Sequence, residues 1–487
     1  MKKFMILATM ASMVLGVSAK EVADSAVENF KRSSLYTIIL KSDKQNKYFE
    51  EETKKAEANS DGLVSLAKSF VKKDGEENVN LFELPAQVFP NIPIPSQFND
   101  HNLDVRVLDF DELKGNVTDA ELAQYAPKKK SGGGFLGKMA KSAAGMETAG
   151  DDINAEFDNY APAVLAKFFN TQNVPAGLIA KWFAYDENRP DNRWALDLIE
   201  DRGLYNFSKE DIMMAANDPA LKAKISQTGY DMVNDTYVMA INLRFRSNQA
   251  IAQEAGNAAK AIGGMFGGAG ALIGSAASAI GGVAAGEGYA VQAVTNLYKL
   301  KWNEDIENVF AEDIVGKNLS LQDLIDKGIC ELEFIGKESA RSNVRQSITS
   351  KKPMSDLVRQ ATTKAIDKAI VELQNHHEQF RTAFPVVGGD GNGAIYARIG
   401  TKEGLNEKDE YEILEKQEDA NGKTIYKSVG SVKAVKGKIM NNEEGAAEEL
   451  DEKSSAADRE AVERDYTEFK GKKGDYRGYY LRLKKKK

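Results

Sequence analysis

Apolar and polar positions alternate strictly across TYVMAINLRFR (Thr236–Arg246). Tyr237, Met239, Ile241, Leu243 and Phe245 fall on one side, and Val238, Ala240, Asn242, Arg244 and Arg246 on the other. A period of two predicts a strand. Downstream, NLYKLKW sets Tyr298, Leu300 and Trp302 against Leu297, Lys299 and Lys301, which predicts a second strand. The two are expected to pair as a hairpin with a long tip. Earlier, SLYTIIL (Ser34–Leu40) reads as a strand and LDVRVLDF as a half-buried one, with Leu103, Val105 and Val107 opposing Asp104, Arg106 and Leu108. LPAQVFPNIPIP carries four prolines and is expected to be extended, because proline donates no ladder bond and restricts the residue before it. LIAKWFAYDENRPDNRWALDLIEDRG reads as two strands around an acidic turn at Asp186–Arg193.

Helical spacing appears at Asp61–Lys72 and most clearly after Pro353 and Ser355, where Val358, Ala361, Ala365, Ala369, Leu373 and Phe380 line one face of a long helix. Ser208 with Asp211, and Asp218 with Pro219, mark two further helix starts. FPVVGGDGNG breaks the long helix and sets the last boundary. Beyond it AIYARIG, DEYEILEKQ, KTIYKSVGSVKAV, GKIM and GYYLRL are short strands separated by glycine turns, the spacing of a small barrel. Residues 443–465 interrupt them with ten acids against three bases, a solvated insert or exposed helix, and Lys484–Lys487 reads as a solvated tail. The expected fold is α+β: a mixed body over 20–385 with a glycine-rich insert at 256–290, then a β-rich domain at 386–487.

Two glycine-rich stretches stand out. Ala261–Gly286 carries no charge and holds nine Gly, eight Ala, two Ser and seven large apolar residues. On a helical wheel Ile262, Met265, Phe266, Leu272, Ile273, Ile280 and Val283 fall within about 120°, although each glycine costs a helix about 1 kcal/mol relative to alanine. Gly270, Gly274, Ser278, Gly282 and Gly286 repeat every fourth residue, the spacing that lets helices approach closely in lipid. A flexible hairpin tip, a helix packed on protein and a membrane-contacting segment all remain open. Lys128–Gly145 is basic and glycine-rich, and is read either as a surface loop or as an interfacial helix on an anionic membrane surface, with Phe135, Met139 and Ala143 on one side and Lys138 and Lys141 on another. The candidate membrane-contact residues are therefore Phe135, Met139, Ile262, Phe266, Leu272, Ile273 and Ile280.

Composition sets the location. Lys2 and Lys3, an apolar run from Phe4 to Val17 and the small exit Val17-Ser18-Ala19 are the pattern of a secretory signal peptide over 1–19, with cleavage expected after Ala19. Because the one cysteine is Cys330, no lipid anchor is expected at the cleavage point and no disulfide can form within the chain. Cys330 is expected to be a small core residue on a strand with Glu331 and Glu333. The net charge of −8 becomes −10 without Lys2 and Lys3, and this mild acidity argues against nucleic acid as a partner.

Candidate chemistry is sparse. Of three histidines, His376 and His377 are adjacent, which lacks the i, i+4 spacing that grips zinc from one helix face, so exposed helix surface is expected. Asp186, Glu187 and Asp191, and Asp390 with Asn392, are oxygen-rich turns without the spacing of a calcium loop. Asp109 and Asp111 are paired carboxylates that a glycosidase could use, but acids are abundant in this chain and spacing in sequence does not fix spacing in space. Neither a nucleophile elbow nor a P-loop nor a dinucleotide fingerprint occurs. No catalytic, cofactor-binding or metal residue is assigned, and no cofactor is expected.

ARIGTKEGLNEKDEYEILEKQEDANGKTIYKSVGSVKAVKGKI resembles the C-terminal β domain of periplasmic flagellar H-ring proteins, through Gly400, Glu403, Gly404, Asp409, Tyr411, Val429 and Gly430. In that pattern the glycines are turns and the apolar positions core. The long helix and DLIEDRGLYNFSKEDI look like a family of exported proteins of Bacteroides-type bacteria. The resemblance implies a periplasmic or surface protein with no known catalytic residues. The expected function is thus a non-catalytic exported cell-envelope protein, an interaction or assembly module that binds an envelope partner or itself. The alternative is a membrane-inserting or pore-type assembly using 261–286, and a hydrolase stands third.

Overall fold

The computed structural model describes residues 33–58, 87–92, 98–125, 152–199, 232–247, 288–345, 354–418, 424–447, 450, 454–476 and 478–485, with isolated positions at 213, 217–219, 222 and 229–230. The fold is α+β: a five-stranded mixed sheet with helices on both faces, followed by a closed six-stranded barrel. The sheet runs β2-β1-β3-β4-β5, with β1 Ser33–Lys41, β2 Phe98–Asp109, β3 Thr236–Ser247, β4 Gly288–Leu300 and β5 Leu332–Arg345. β1 pairs in parallel with β2 and β3, whereas β3/β4 and β4/β5 are antiparallel.

The expected hairpin is present, paired from Tyr237↔Lys299 to Ser247↔Tyr289. It outruns its neighbour: β1 leaves β3 at Ile39↔Ile241, and six further residues at about 3.3 Å each carry the hairpin about 20 Å beyond. Alternation on β3 sorts its side chains as expected, but both faces are covered and neither meets water. Tyr237, Met239, Ile241, Leu243 and Phe245 pack with the apolar stripe of the long helix, while Val238 and Ala240 join a second core on the opposite face. The polar members Asn242, Arg244 and Arg246 are buried as well.

That second face is covered by α1 (Asp43–Ala58), α2 (Phe110–Gly115), α3 (Asp119–Tyr125) and α4 (Asp152–Thr171). Pro162 sits inside α4. Its missing N–H frees the carbonyl of Asp158 four residues back, and Lys337 Nζ on β5 donates to that oxygen at 3.2 Å. At the lower end of the sheet α5 (Val174–Trp182), α6 (Glu304–Val309), the π turn Phe310–Val315 and α7 (Leu321–Lys327) enclose a third core. This core holds Trp182, Trp194 and Trp302, all three tryptophans of the chain. The long helix α8 (Met354–His376) lays Val358, Ala361, Ala365, Ala369 and Leu373 on the sheet, with Phe380 following in a 3-10 turn, as its spacing predicts.

Several expectations are corrected. LIAKWF is not a strand: Val174–Trp182 is helical, entered through Asn173 in the left-handed region and Pro175, and it buries Leu178, Ile179 and Trp182. Phe89–Asn91 in the proline-rich segment forms a 3-10 turn with Pro90 at its start, not extended chain. Cys330 lies in the loop two residues before β5 and packs on the tryptophan core. In the β-rich region β6 (Ala383–Gly389) already belongs to the barrel, so FPVV is a strand that crosses the expected boundary at 386. The barrel order is β10-β7-β6-β11-β8-β9, with β7 Ala394–Ala397, β8 Glu410–Glu418, β9 Thr424–Ala434, β10 Thr467–Lys470 and β11 Tyr480–Lys485. GKIM contributes only a bridge from Met440 to Gly400. Lys484 is no free tail residue, since it lies in β11 and donates to Glu410 at 3.0 Å. The acidic segment carries an exposed helix, α9 (Ala456–Glu463), opened by a Ser455/Asp458 capping box.

Candidate functional site

The residues first suspected of chemistry are spent on local structure. Asp109 caps α2, accepting from the backbone N–H of Asp111 at 2.9 Å and of Glu112 at 3.2 Å. Asp111 accepts from Ser42 Oγ at 3.0 Å and the Lys44 N–H at 3.2 Å, tying the end of β1 to α2. Asp186 accepts from Asn188 and pairs with Arg189, and Asp390 accepts from the N–H groups of Asn392 and Ala394, both ordinary turn bonding. Among the described residues no group of three or more His, Cys, Asp or Glu is arranged to hold a metal ion. Burial pushes the Cys330 thiol up to about 12, opposite to the activation of a nucleophile.

The histidine pair is not uniformly exposed surface. His376 Nδ1 lies 3.0 Å from Glu338 on β5, and His377 Nε2 lies 3.5 Å from the same carboxylate. The His377 ring fills the space over Gly336, where a Cβ would collide with it, so this histidine is part of the joint between α8 and β5. The membrane-contact candidates Phe135, Met139, Ile262, Phe266, Leu272, Ile273 and Ile280 lie outside the described residues, as do Ala261–Gly286, Lys128–Gly145, Asp61–Lys72 and Ser208 with Asp211. At Asp218-Pro219 the expected start holds: Pro219 is helical and the Lys222 N–H donates to the Asp218 carbonyl at 3.0 Å.

An arm of the barrel collects what packing leaves over. Tyr411 and Ile413 of β8 and Val432 and Ala434 of β9 turn into the barrel core. The ladder slips where Ile413 opposes Gly430 and Leu414 opposes Ser428, leaving Val429 as an extra, bulged residue. β11 begins at Tyr480↔Leu414, so the pairs from Glu415↔Lys427 to Glu418↔Thr424 overhang the barrel body. On its other side β9 meets β10 only through Lys433 and Ala434. Ile425–Ser431 are exposed in succession, with Ile425 at 41%, Tyr426 at 39% and Val429 at 46%. Six large apolar side chains are exposed among the described residues, and three of them lie on this strand.

The base of the arm is fixed. The Tyr426 ring meets Tyr480 edge-on at 5.4 Å, and Tyr479 donates its hydroxyl to Glu415 at 2.9 Å, a bond that raises the Tyr479 pKa. What the arm offers is a strand with exposed apolar side chains and an outer edge that, among the described residues, no other strand covers from Thr424 to Val432. Such an edge binds by adding a strand or by burying its apolar side chains. Val429 and Gly430 thus depart from the roles read in the sequence, because Val429 is not core and Gly430 lies within a strand and not a turn. Gly404 keeps its role, with φ +70° in a turn, and Tyr411 is buried, whereas Gly400 lies at the bridge to Met440 and not in a turn. Comparison with family models, curated proteins and solved structures finds no match.

Proposed function

We propose that this chain is a non-catalytic, exported cell-envelope protein that works as an interaction or assembly module, with the β8–β9 arm as its contact surface. The observation that carries this reading is the run of exposed apolar side chains, Ile425, Tyr426 and Val429, on a strand whose outer edge is largely uncovered. Proteins usually protect such edges with charge, proline or cover, and here Lys427 is the one charged residue between Ile425 and Val429. The test is Val429→Asp in the native cells. Since Val429 is bulged and solvent-facing, the variant should melt like the parent while the envelope complex containing it falls to the size of the free protein. Unchanged complexes would remove the arm from the account.

A second reading, membrane insertion or a pore-type assembly, is favoured by the β3–β4 hairpin. Its strands run paired about 20 Å past β1 and deliver both ends of the intervening glycine-rich segment to one place, Ser247 and Gly288. Replacing Ala261–Gly286 by an Asn-Gly turn separates the readings. Lost liposome flotation with unchanged thermal stability supports insertion, and no flotation by either protein removes it. No helix among the described residues is long and apolar enough to cross a membrane.

A further inference from the structure

Helix α8 is buried along two stripes of different character. One is the apolar stripe on the sheet. The other faces the barrel and is polar: Arg359 Nη1 lies 3.0 Å from Glu444, Gln360 donates to the Glu444 carbonyl at 3.2 Å, Lys364 Nζ stands 3.6 Å from Glu443, and Asp367 stands 3.7 Å from Lys402. On the barrel side these groups come from two loops bound together. Asn442 accepts from the Lys402 N–H at 3.1 Å, donates to Glu403 at 2.9 Å, and follows Asn441, which accepts from Thr401 at 2.7 Å. Gly445, at φ +76°, seats its backbone directly on Gln360, leaving no room for a side chain.

Asp367 is the weak member. It is 5% exposed, its Oδ1 has no hydrogen-bond partner, and its one cation is at ion-pair distance only. The charged groups acting on it are Lys402, Glu403 and Glu444 from the barrel, and the seam as a whole also holds the pairs Arg359–Glu444 and Lys364–Glu443. With every group ionised the seam holds four acids against three bases, and Asp367 is the most deeply buried of the acids in these pairs.

We propose that the α8–barrel seam is a proton-gated hinge, closed while Asp367 carries a proton and loosened when it ionises. Protonation balances the seam at three against three and relieves a buried carboxylate whose Oδ1 accepts no hydrogen bond. Burial pushes the Asp367 carboxyl up to about 7, with Glu403 and Glu444 adding to the shift and Lys402 opposing it. The sign follows: a carboxyl raised in the closed state favours closure below its unshifted value and loses that contribution as pH rises to about 7, beyond which the effect levels off. Between pH 6 and pH 8 the open fraction should rise about tenfold, by linkage for one such group.

The hinge is independent of the arm's role and is read by hydrogen exchange on the full chain, with times scaled for the intrinsic pH dependence. Amides of 400–405 and 440–446 should exchange about tenfold faster at pH 8 than at pH 6, while those of β3 and β4 hold steady and report the fold. Asp367→Asn should keep the seam closed at both pH values. Gly445→Val should open it at both, without touching a charge. Lys402→Met should steepen the pH dependence and serves should Asp367→Asn not fold. Equal exchange at pH 6 and pH 8 in the parent, or a tenfold change persisting in Asp367→Asn, would overturn the proposal.

Discussion

Asp158→Leu tests whether the buried end of β3 is held by charge. Arg244 is 4% exposed on the face of β3 that α4 covers. Its guanidinium reaches Asp158 through both terminal nitrogens, one of them at 3.3 Å to Oδ2, and its Nε donates to Asn242 Oδ1 at 2.8 Å. Asn242 in turn donates to Gln45 Oε1 at 3.0 Å and to the Leu40 carbonyl at 2.9 Å, so the network pins α1 and β1 to β3. Removing one partner of a buried pair costs about 3–5 kcal/mol, because the other charge is stranded. Asp158 is partly exposed and Asn242 still serves Nε, which sets the expectation at the low end, about 3 kcal/mol. Equilibrium urea unfolding followed by tryptophan fluorescence is the assay, since all three tryptophans sit in the sheet body and none in the barrel. Arg244→Met combined with Asp158→Leu should recover most of the loss, as an apolar pair replaces the ionic one. A single-variant cost below about 1 kcal/mol, the range of exposed pairs, or a double variant worse than either single, would refute the reasoning.

Gly336→Ala should drive a Cβ into the His377 ring and cost about 1–3 kcal/mol as an overpacked site, read in the same urea transition; a neutral result would mean that the ring has room to move. Cys330, with its thiol pushed up to about 12, should react with a disulfide reagent far more slowly than a free thiol at pH 8, and a rate equal to that of glutathione would contradict its burial. The mature protein should begin at Lys20, checked by N-terminal sequencing from native cells, and an intact Met1 on the bulk of it would remove the export reading.

The elements legible in advance are those with a long unbroken period. β3 and α8 each carry one side chain after another on the expected face, because eleven residues of alternation or five helically spaced apolar positions leave no competing register. LIAKWF failed because a short apolar run has no readable period, and the preceding Asn173-Val174-Pro175 start was the missed cue. α1 was hidden by its lysine and glutamate content, and β10 is only four residues long. Val429 could not be told from core, since alternation gives the side a residue faces and not how far a hairpin overhangs its neighbours. Asp367 was likewise invisible: its position on α8 is ordinary in sequence, and it becomes unusual only when the loops at Lys402 and Glu444 close over it.

The central claim, that the β8–β9 arm is a contact surface in the cell envelope, is tested most directly by a photo-crosslinking residue placed at Val429 in the full chain within native cells. The account predicts a discrete adduct in the envelope fraction from this position and none from Lys408, an exposed site in the loop before β8. Adducts absent from Val429, equal from both positions, or confined to the cytoplasm would contradict it.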